Sequence, residues 1–168
     1  MRRCGLIVLA LMTAVGIGAC DDGDNEEGTN NYSATLNGGA ERPTPNTQTS
    51  TGSFTLTDNG ASMSYTLTVN NLVGTVSGAH IHAVPRSGVA AADTTGGIVV
   101  NLNPAAGVTT GILAQGTITQ ASILGLGGAA AISIDSLRTL INAGRTYVNV
   151  HTTPNFAGGL IRGTIVRQ

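Results

Sequence analysis

The sequence has no lysine and little charge of either sign. Charged residues make up 10% of the 168 positions, all eight basic residues are arginine, and aromatic residues make up only 3%. Proteins that bind nucleic acid need clustered basic side chains to neutralise phosphates, often with aromatic side chains that stack on bases. Scattered arginines and few aromatics therefore exclude a nucleic-acid partner.

Cysteine is also scarce, because Cys4 and Cys20 are the only two in the chain. Cys4 lies within a predicted signal peptide, which leaves Cys20 as the only thiol of the mature protein. No disulfide framework can then form inside the domain, even in an oxidising compartment. A hydrophobic core must supply the stability of the fold.

The longest apolar run, from Gly5 to Gly18, follows two arginines at the N-terminus. It is shorter than the roughly 20 residues that a spanning helix needs, so it predicts a cleaved signal peptide over residues 1–19. The segment Ile17–Cys20 resembles a bacterial lipoprotein box, in which the cysteine is lipidated. We therefore expect lipidation of Cys20 and a location in the cell envelope, anchored on an extracytoplasmic face. Ordinary secretory cleavage after Ala19 is the alternative.

An acidic segment separates the signal from the rest of the chain. Residues 20–31 contain five of the nine acidic residues and no large apolar side chain, which predicts a disordered tether. Residues 32–168 then form one predicted domain, large enough for a hydrophobic core. Its six arginines and four carboxylates give it a formal charge of +2.

The domain shows the alternating pattern of β-strands. Asp58-Asn59-Gly60 predicts a hairpin turn, Ser133–Gly144 predicts a short helix, and Pro154–Gly159 predicts a loop. The predicted strands are Tyr32–Leu36, Gly52–Thr57, Ser62–Val69, Val73–Val84, Ile98–Leu102, Ile112–Thr119, Tyr147–Thr152 and Leu160–Val166. Together they predict an all-β fold, an antiparallel Greek-key-like β-sandwich or barrel of about 7–9 strands with one short helical insertion.

All three histidines of the chain lie in two of these strands. Side chains alternate between the faces of a strand, so His80 and His82 project from one face while Ile81 projects from the other. In the second strand, His151 shares a face with Asn149. Two histidines at positions i and i+2, with a third on another strand, are the strongest functional signal in the sequence.

One interpretation of this signal is structural. The imidazoles, together with Glu41, Asn149 and Arg162, form a hydrogen-bonded polar cluster that pins loops to the sheet. A neutral imidazole offers one donor and one acceptor, which suits this role. Arg162 and Glu41 are candidates for a partly buried ion pair inside the cluster.

The second interpretation is a metal site formed by His80, His82 and His151. If the two strands are neighbours, three imidazole nitrogens meet on one face and suit zinc or copper. Glu41 or Asp93 is then a candidate for the fourth ligand.

Three histidines cannot supply both metal sites of a copper–zinc superoxide dismutase, so dismutase activity is not predicted. The domain also lacks cysteine, lysine, a Gly-x-Ser-x-Gly elbow and a phosphate loop, which leaves a non-catalytic role.

The order of these motifs resembles that of the CHRD domain, a module named for its repeats in chordin and also found in bacterial secreted proteins. The landmarks are Ala34-Thr35-Leu36, Gly39, Glu41, Gly52, Leu72, Ala79–His82, Ile98–Val100, Leu102, Ala143-Gly144, Tyr147–Thr152, Gly159 and Ile161-Arg162-Gly163. The resemblance implies a β-sandwich-like extracytoplasmic module. Its expected partners are the membrane, through the N-terminal lipid, and an unidentified envelope protein or extracellular ligand. The growth-factor binding of chordin is not expected here.

Overall fold

The computed structural model describes residues 30–85 and 87–168, which form nine strands and one α-helix. The strands are β1 (Asn30–Asn37), β2 (Thr51–Asp58), β3 (Met63–Asn70), β4 (Thr75–Ala83), β5 (Gly97–Asn101), β6 (Gly111–Ile118), β7 (Thr146–Thr153), β8 (Phe156–Thr164) and β9 (Val166–Arg167), and helix α1 is Ile134–Asn142. The predicted signal peptide, Cys20 and most of the tether lie outside the described residues. The last two residues assigned to the tether, Asn30 and Asn31, instead begin β1 and pair with β2.

All the strands belong to one antiparallel sheet, which curves into a nearly closed barrel. Eight strands follow the order β5-β4-β7-β8-β1-β2-β3-β6, and the short β9 pairs with β1. The two edge strands approach each other where Val100 of β5 bridges to Ile123, just beyond β6. The all-β prediction is therefore confirmed. The neighbours β4 and β7 are distant in sequence, as in Greek-key connections.

Apolar side chains from each of the strands β1 to β8 fill the barrel interior. Ile81 of β4, Val148 and Val150 of β7, and Ile161 of β8 are fully buried in this core. Their strand neighbours must then face outward, because successive side chains point to opposite faces. The histidine-bearing face of β4 and β7 is therefore the outside of the barrel.

Two connections differ from their predictions. The β2–β3 hairpin is present, but its loop covers residues 59–62, and Gly60 alone among them has a positive φ, of 78°. The loop predicted at Pro154–Gly159 is shorter than expected, because β8 already begins at Phe156. The ladder between β7 and β8 is nevertheless interrupted between Val150 and Thr152, so residues 157–160 bulge away from their partner strand.

Helix α1 packs against the core of the barrel, as its apolar stripe predicts. Leu137, Leu140 and Ile141 are buried, and the Ser133 hydroxyl caps the N-terminus by accepting a hydrogen bond from the Ser136 amide. Gly144 follows the helix with a φ of 64°, the left-handed conformation that commonly ends helices. Among the described residues, no helix has both the length and the hydrophobicity to span a membrane.

A single arginine ties this helix to the β2–β3 hairpin. The Arg138 guanidinium donates hydrogen bonds to both carboxylate oxygens of Asp58, which is 5% exposed, and to the Gly60 carbonyl. It also pairs with Asp135 on its own helix. The hydrogen bonds from Arg138 are the main cause of the lowered pKa of Asp58. The contact therefore holds a buried carboxylate in its charged form.

We expect Arg138→Met to lower the free energy of unfolding at pH 7 by about 2–3 kcal/mol. The substitution leaves the Asp58 carboxylate buried without a cation, and the partial exposure of Arg138 keeps the loss below that of a fully buried pair. Urea unfolding measures the difference. The matched control is Arg167→Met, which removes an exposed arginine and should change stability by less than about 0.5 kcal/mol. Equal effects of the two variants would contradict this role for Arg138.

Candidate functional site

The pairing of β4 with β7 brings the two histidine strands side by side. His80 lies opposite Asn149, His82 opposite Tyr147, and Gly78 opposite His151. Directly opposed residues of antiparallel strands project from the same face. The expectation that the histidine strands are neighbours is therefore confirmed, and all three imidazoles share the outer face of the barrel.

The three imidazoles form one compact cluster. The ring centroids of His80 and His151 are 5.0 Å apart, those of His80 and His82 are 5.6 Å apart, and those of His82 and His151 are 5.9 Å apart. One nitrogen from each ring lies within 4.8 Å of the other two. His82 is buried, whereas His80 and His151 are partly exposed. Two of the three histidines are thus partly accessible to solvent.

Two of the rings are held by carbonyl groups of neighbouring loops. The Nδ1 atom of His82 lies 3.0 Å from the Gly96 carbonyl oxygen, and the Nδ1 atom of His151 lies 3.0 Å from that of Ala157. A carbonyl oxygen only accepts hydrogen bonds, so each Nδ1 must carry the proton and donate it. In the neutral rings, the lone pair is then on Nε2. Both Nε2 atoms are buried and have no hydrogen-bond partner in the described protein.

Burial keeps these imidazoles neutral. It lowers the pKa of His82 to about 4, with smaller contributions from His151, His80 and Arg162, while the bond to Gly96 acts in the opposite direction. The pKa values of His80 and His151 are also lowered, chiefly by burial. A neutral imidazole is the form that binds a metal ion. The cluster is therefore in its ligand form at neutral pH.

Irregularities in the strands set the positions of the histidines. The register shifts between Val76 and Gly78 in the β4–β7 ladder, and again between Ile81 and His82 in the β4–β5 ladder. A third interruption, at His151 in the β7–β8 ladder, produces the bulge of residues 157–160. Bulges re-aim side chains and are frequent beside functional sites. Here the bulge supplies the Ala157 carbonyl that orients His151.

The loop before β5 covers the buried side of the cluster. Tyr147 stacks on His82 with ring centroids 4.8 Å apart and an interplanar angle of 4°. The Arg162 guanidinium lies 3.5 Å from the centroid of the Tyr147 ring. Arg162 is 1% exposed and donates hydrogen bonds to the carbonyls of Ala91 and Thr94 in the covering loop. The stack therefore fixes both the loop and the His82 ring.

Glu41 and Asn149 form the second half of the predicted polar cluster. The Asn149 amide donates to both carboxylate oxygens of Glu41, at 2.8 and 3.0 Å. Gly159 permits this contact, because a Cβ at that position would lie 2.5 Å from a Glu41 oxygen. Glu41 and Arg162, the candidates for an ion pair, form no salt bridge within 4.0 Å, and the two such pairs among residues 30–85 and 87–168 both involve Arg138. The charge of Arg162 nevertheless acts to lower the pKa of Glu41. Arg162 uses its guanidinium on loop carbonyls instead.

The candidate carboxylate ligands do not join the histidine cluster. The group of donor atoms within 4.8 Å contains neither Glu41 nor Asp93, and Asp93 is exposed in the covering loop. The sequence reasoning also missed Gly96, Ala157 and the stacking role of Tyr147. Gly96 and Ala157 act through their backbone carbonyls. Every residue has such a carbonyl, so the residue type does not reveal this role. The alternating pattern of the strand did predict the correct face for Tyr147, although it did not predict that Tyr147 stacks on His82.

We expect Glu41→Gln to raise stability at pH 8 and to remove part of its pH dependence. Burial raises the pKa of Glu41 from 4.5 to about 7. Between these values the folded protein keeps a proton that the unfolded chain has lost, so the free energy of unfolding falls as the pH rises. The loss reaches at most about 3 kcal/mol. Urea unfolding from pH 4.5 to 8 measures it.

The control for this experiment is Asp93→Asn, which removes an exposed carboxylate near the same site. It should keep the wild-type dependence on pH. A Glu41→Gln variant that also keeps this dependence would show that the Glu41 carboxyl ionises as freely in the folded domain as in the unfolded chain.

Comparison with known proteins agrees with this architecture and with the motif order. The family model described as CHRD domain matches residues 32–165, which include every strand from β2 to β8 and all three histidines. Neither the curated proteins nor the solved structures contain a significant match. The matched family supports a non-catalytic extracellular module. Because the match covers most of the chain, this protein belongs to the CHRD domain family.

Proposed function

We propose that this CHRD domain is a non-catalytic envelope module that binds one zinc or copper ion through His80, His82 and His151. Three neutral imidazoles suit both metals, and a zinc–nitrogen bond is about 2.0–2.1 Å long. One nitrogen of each ring already lies within 4.8 Å of a nitrogen of the other two, so small ring movements would bring three nitrogens into range of one ion. No strand would have to move.

The observation that carries this proposal is the set of unpartnered ring nitrogens. The Nδ1 atom of His80 and the Nε2 atoms of His82 and His151 are all buried without a hydrogen-bond partner in the described protein. Leaving a buried polar atom unsatisfied costs about 1–3 kcal/mol. A shared ion would satisfy all three nitrogens at once. Metal-binding histidines also commonly donate their second N–H to a carbonyl, as His82 and His151 do.

The structural interpretation accounts for only part of this geometry. Hydrogen bonds from His82 and His151 to Gly96 and Ala157 do tie the loops to the sheet. This structural role uses the Nδ1 atoms of His82 and His151 and gives no function to their Nε2 atoms. A structural cluster and a metal site are therefore compatible, because they use opposite edges of the same imidazoles.

We expect protein purified without a histidine tag to bind about one zinc or copper ion per chain. Metal analysis measures the stoichiometry, and thermal unfolding measures the stabilisation. Free metal at 100 times its dissociation constant should stabilise the fold by about 2.7 kcal/mol. His82→Ala should abolish both effects, because it removes the buried ligand.

The matched control is Asn101→Ala, since Asn101 is the exposed cross-strand neighbour of His80 on β5. This variant should bind metal like the wild type. A wild-type protein that stays metal-free, with a melting temperature unchanged by zinc, copper or chelators, would exclude the metal site. The polar cluster would then have a structural role only.

We further propose that the module is anchored to the cell envelope by a lipid on Cys20. The support is the N-terminal pattern, in which a basic and apolar signal ends in Ile17–Cys20. The acidic segment that follows would hold the domain away from the membrane surface. An envelope protein or an extracellular ligand is the expected partner.

We expect the full-length chain, expressed in a bacterium, to incorporate labelled palmitate and to fractionate with membranes. Cys20→Ser should lose the label, because the serine cannot form the thioether of a lipoprotein. Cys4→Ser is the control, since Cys4 lies within the predicted signal peptide. A wild-type protein that is soluble and unlabelled would indicate ordinary secretory cleavage.

A further inference from the structure

Gly78 lies directly beneath the ring of His80. A Cβ at Gly78 would lie 2.7 Å from Cε1 and 3.0 Å from Nε2 of that ring, but 3.7 Å from Nδ1. The first distance is shorter than the van der Waals contact of carbon atoms, which is about 3.5–4.0 Å. Any side chain at position 78 would therefore displace the imidazole. The ring occupies the space that the glycine leaves open.

The contact also defines which edge of the His80 ring faces the strand. Its Cε1–Nε2 edge lies nearest to the position that a Cβ at Gly78 would take, whereas Nδ1 is the more distant nitrogen. This Nδ1 atom is buried and has no hydrogen-bond partner in the described protein. In His82 and His151, by contrast, Nδ1 is engaged with a carbonyl and Nε2 is the buried nitrogen without a partner. The buried nitrogen without a partner is therefore Nδ1 in His80, whereas it is Nε2 in the other two rings.

Gly78 also lies at an irregular position of the sheet. It follows the register shift in β4 and lies opposite His151 in the β4–β7 ladder. It is therefore a neighbour of both His151, which lies opposite it, and His80, two residues later in the same strand. The centroids of these two rings are 5.0 Å apart. The missing side chain leaves room for the His80 ring above Gly78, beside the His151 ring.

We infer that Gly78 is a positioning residue that makes His80 an Nδ1 ligand, in a site where His82 and His151 bind through Nε2. This inference rests on the proposed metal site and specifies its donor atoms. Gly78 itself contributes no ligand. It acts by leaving room for the observed orientation of His80, in which Nδ1 is the nitrogen farther from Gly78.

Long-range proton–nitrogen correlation spectra of the 15N-labelled, zinc-loaded protein test the donor atoms. Zinc is diamagnetic, so all three rings remain observable. The expected spectrum shows His80 bound through Nδ1 with a proton on Nε2, and the other two histidines with the reverse pattern. Zinc bound at full stoichiometry through Nε2 of His80 would overturn the inference and leave the proposed function intact.

Substitution of the glycine tests its positioning role. Gly78→Ala should weaken zinc binding at least about 10-fold, the lower end of the effect of residues that orient metal ligands. Competition with a chromogenic chelator measures the affinity. The matched control is Gly158→Ala on β8, where an added Cβ meets no atom within 4 Å. This control should bind zinc like the wild type.

A double-mutant cycle separates positioning from a general loss of stability. If Gly78 acts through His80, Gly78→Ala should have no further effect on zinc affinity in a His80→Ala background. Equal losses in both backgrounds would overturn the inference. If Gly78→Ala fails to fold, the wild-type spectra still decide the donor atoms. A wild-type protein that binds no zinc or copper would overturn the proposed function and this inference together.

Discussion

The register of β4 against β7 is the constraint on which the site depends. It places His80 beside Asn149 and His82 beside Tyr147, and it turns Ile81 and Val148 into the barrel. A slip of one residue would exchange the two faces of a strand, burying imidazoles in the core and exposing its apolar side chains. The hydrophobic core therefore enforces the geometry of a polar cluster that lies outside it.

Much of the fold could be predicted because alternation and turn chemistry are local. The return strand after Asn59-Gly60 and the amphipathic helix α1 both lie close to where their patterns place them. The start of β8 could not be predicted, because Gly158 and Gly159 are typical of a loop but continue the strand in an irregular form. Local residue preference gives no information about a ladder that is interrupted and then resumes.

The shared face of the histidines could also be predicted, but the surroundings of Arg162 could not. Its hydrogen-bond acceptor Ala91 lies 71 residues away in sequence. The position of that loop depends on packing among Val84, Ala91 and Tyr147, a small apolar cluster separate from the main core. Charge pairing suggested Glu41 as the partner, yet carbonyl groups and an aromatic ring replace the carboxylate.

The acceptors that hold His82 and His151 are main-chain carbonyls, of Gly96 and Ala157. The Ala157 acceptor is kept whatever side chain that residue carries, provided that the chain follows the same path. Gly96 must stay glycine, because a Cβ there would lie 2.2 Å from the Ala83 carbonyl oxygen. The exposed residues of these loops are therefore free to diversify without disturbing the rings beneath them. Evolution could vary the outer surface of such a module, and with it the choice of binding partner, while its buried chemistry stayed the same.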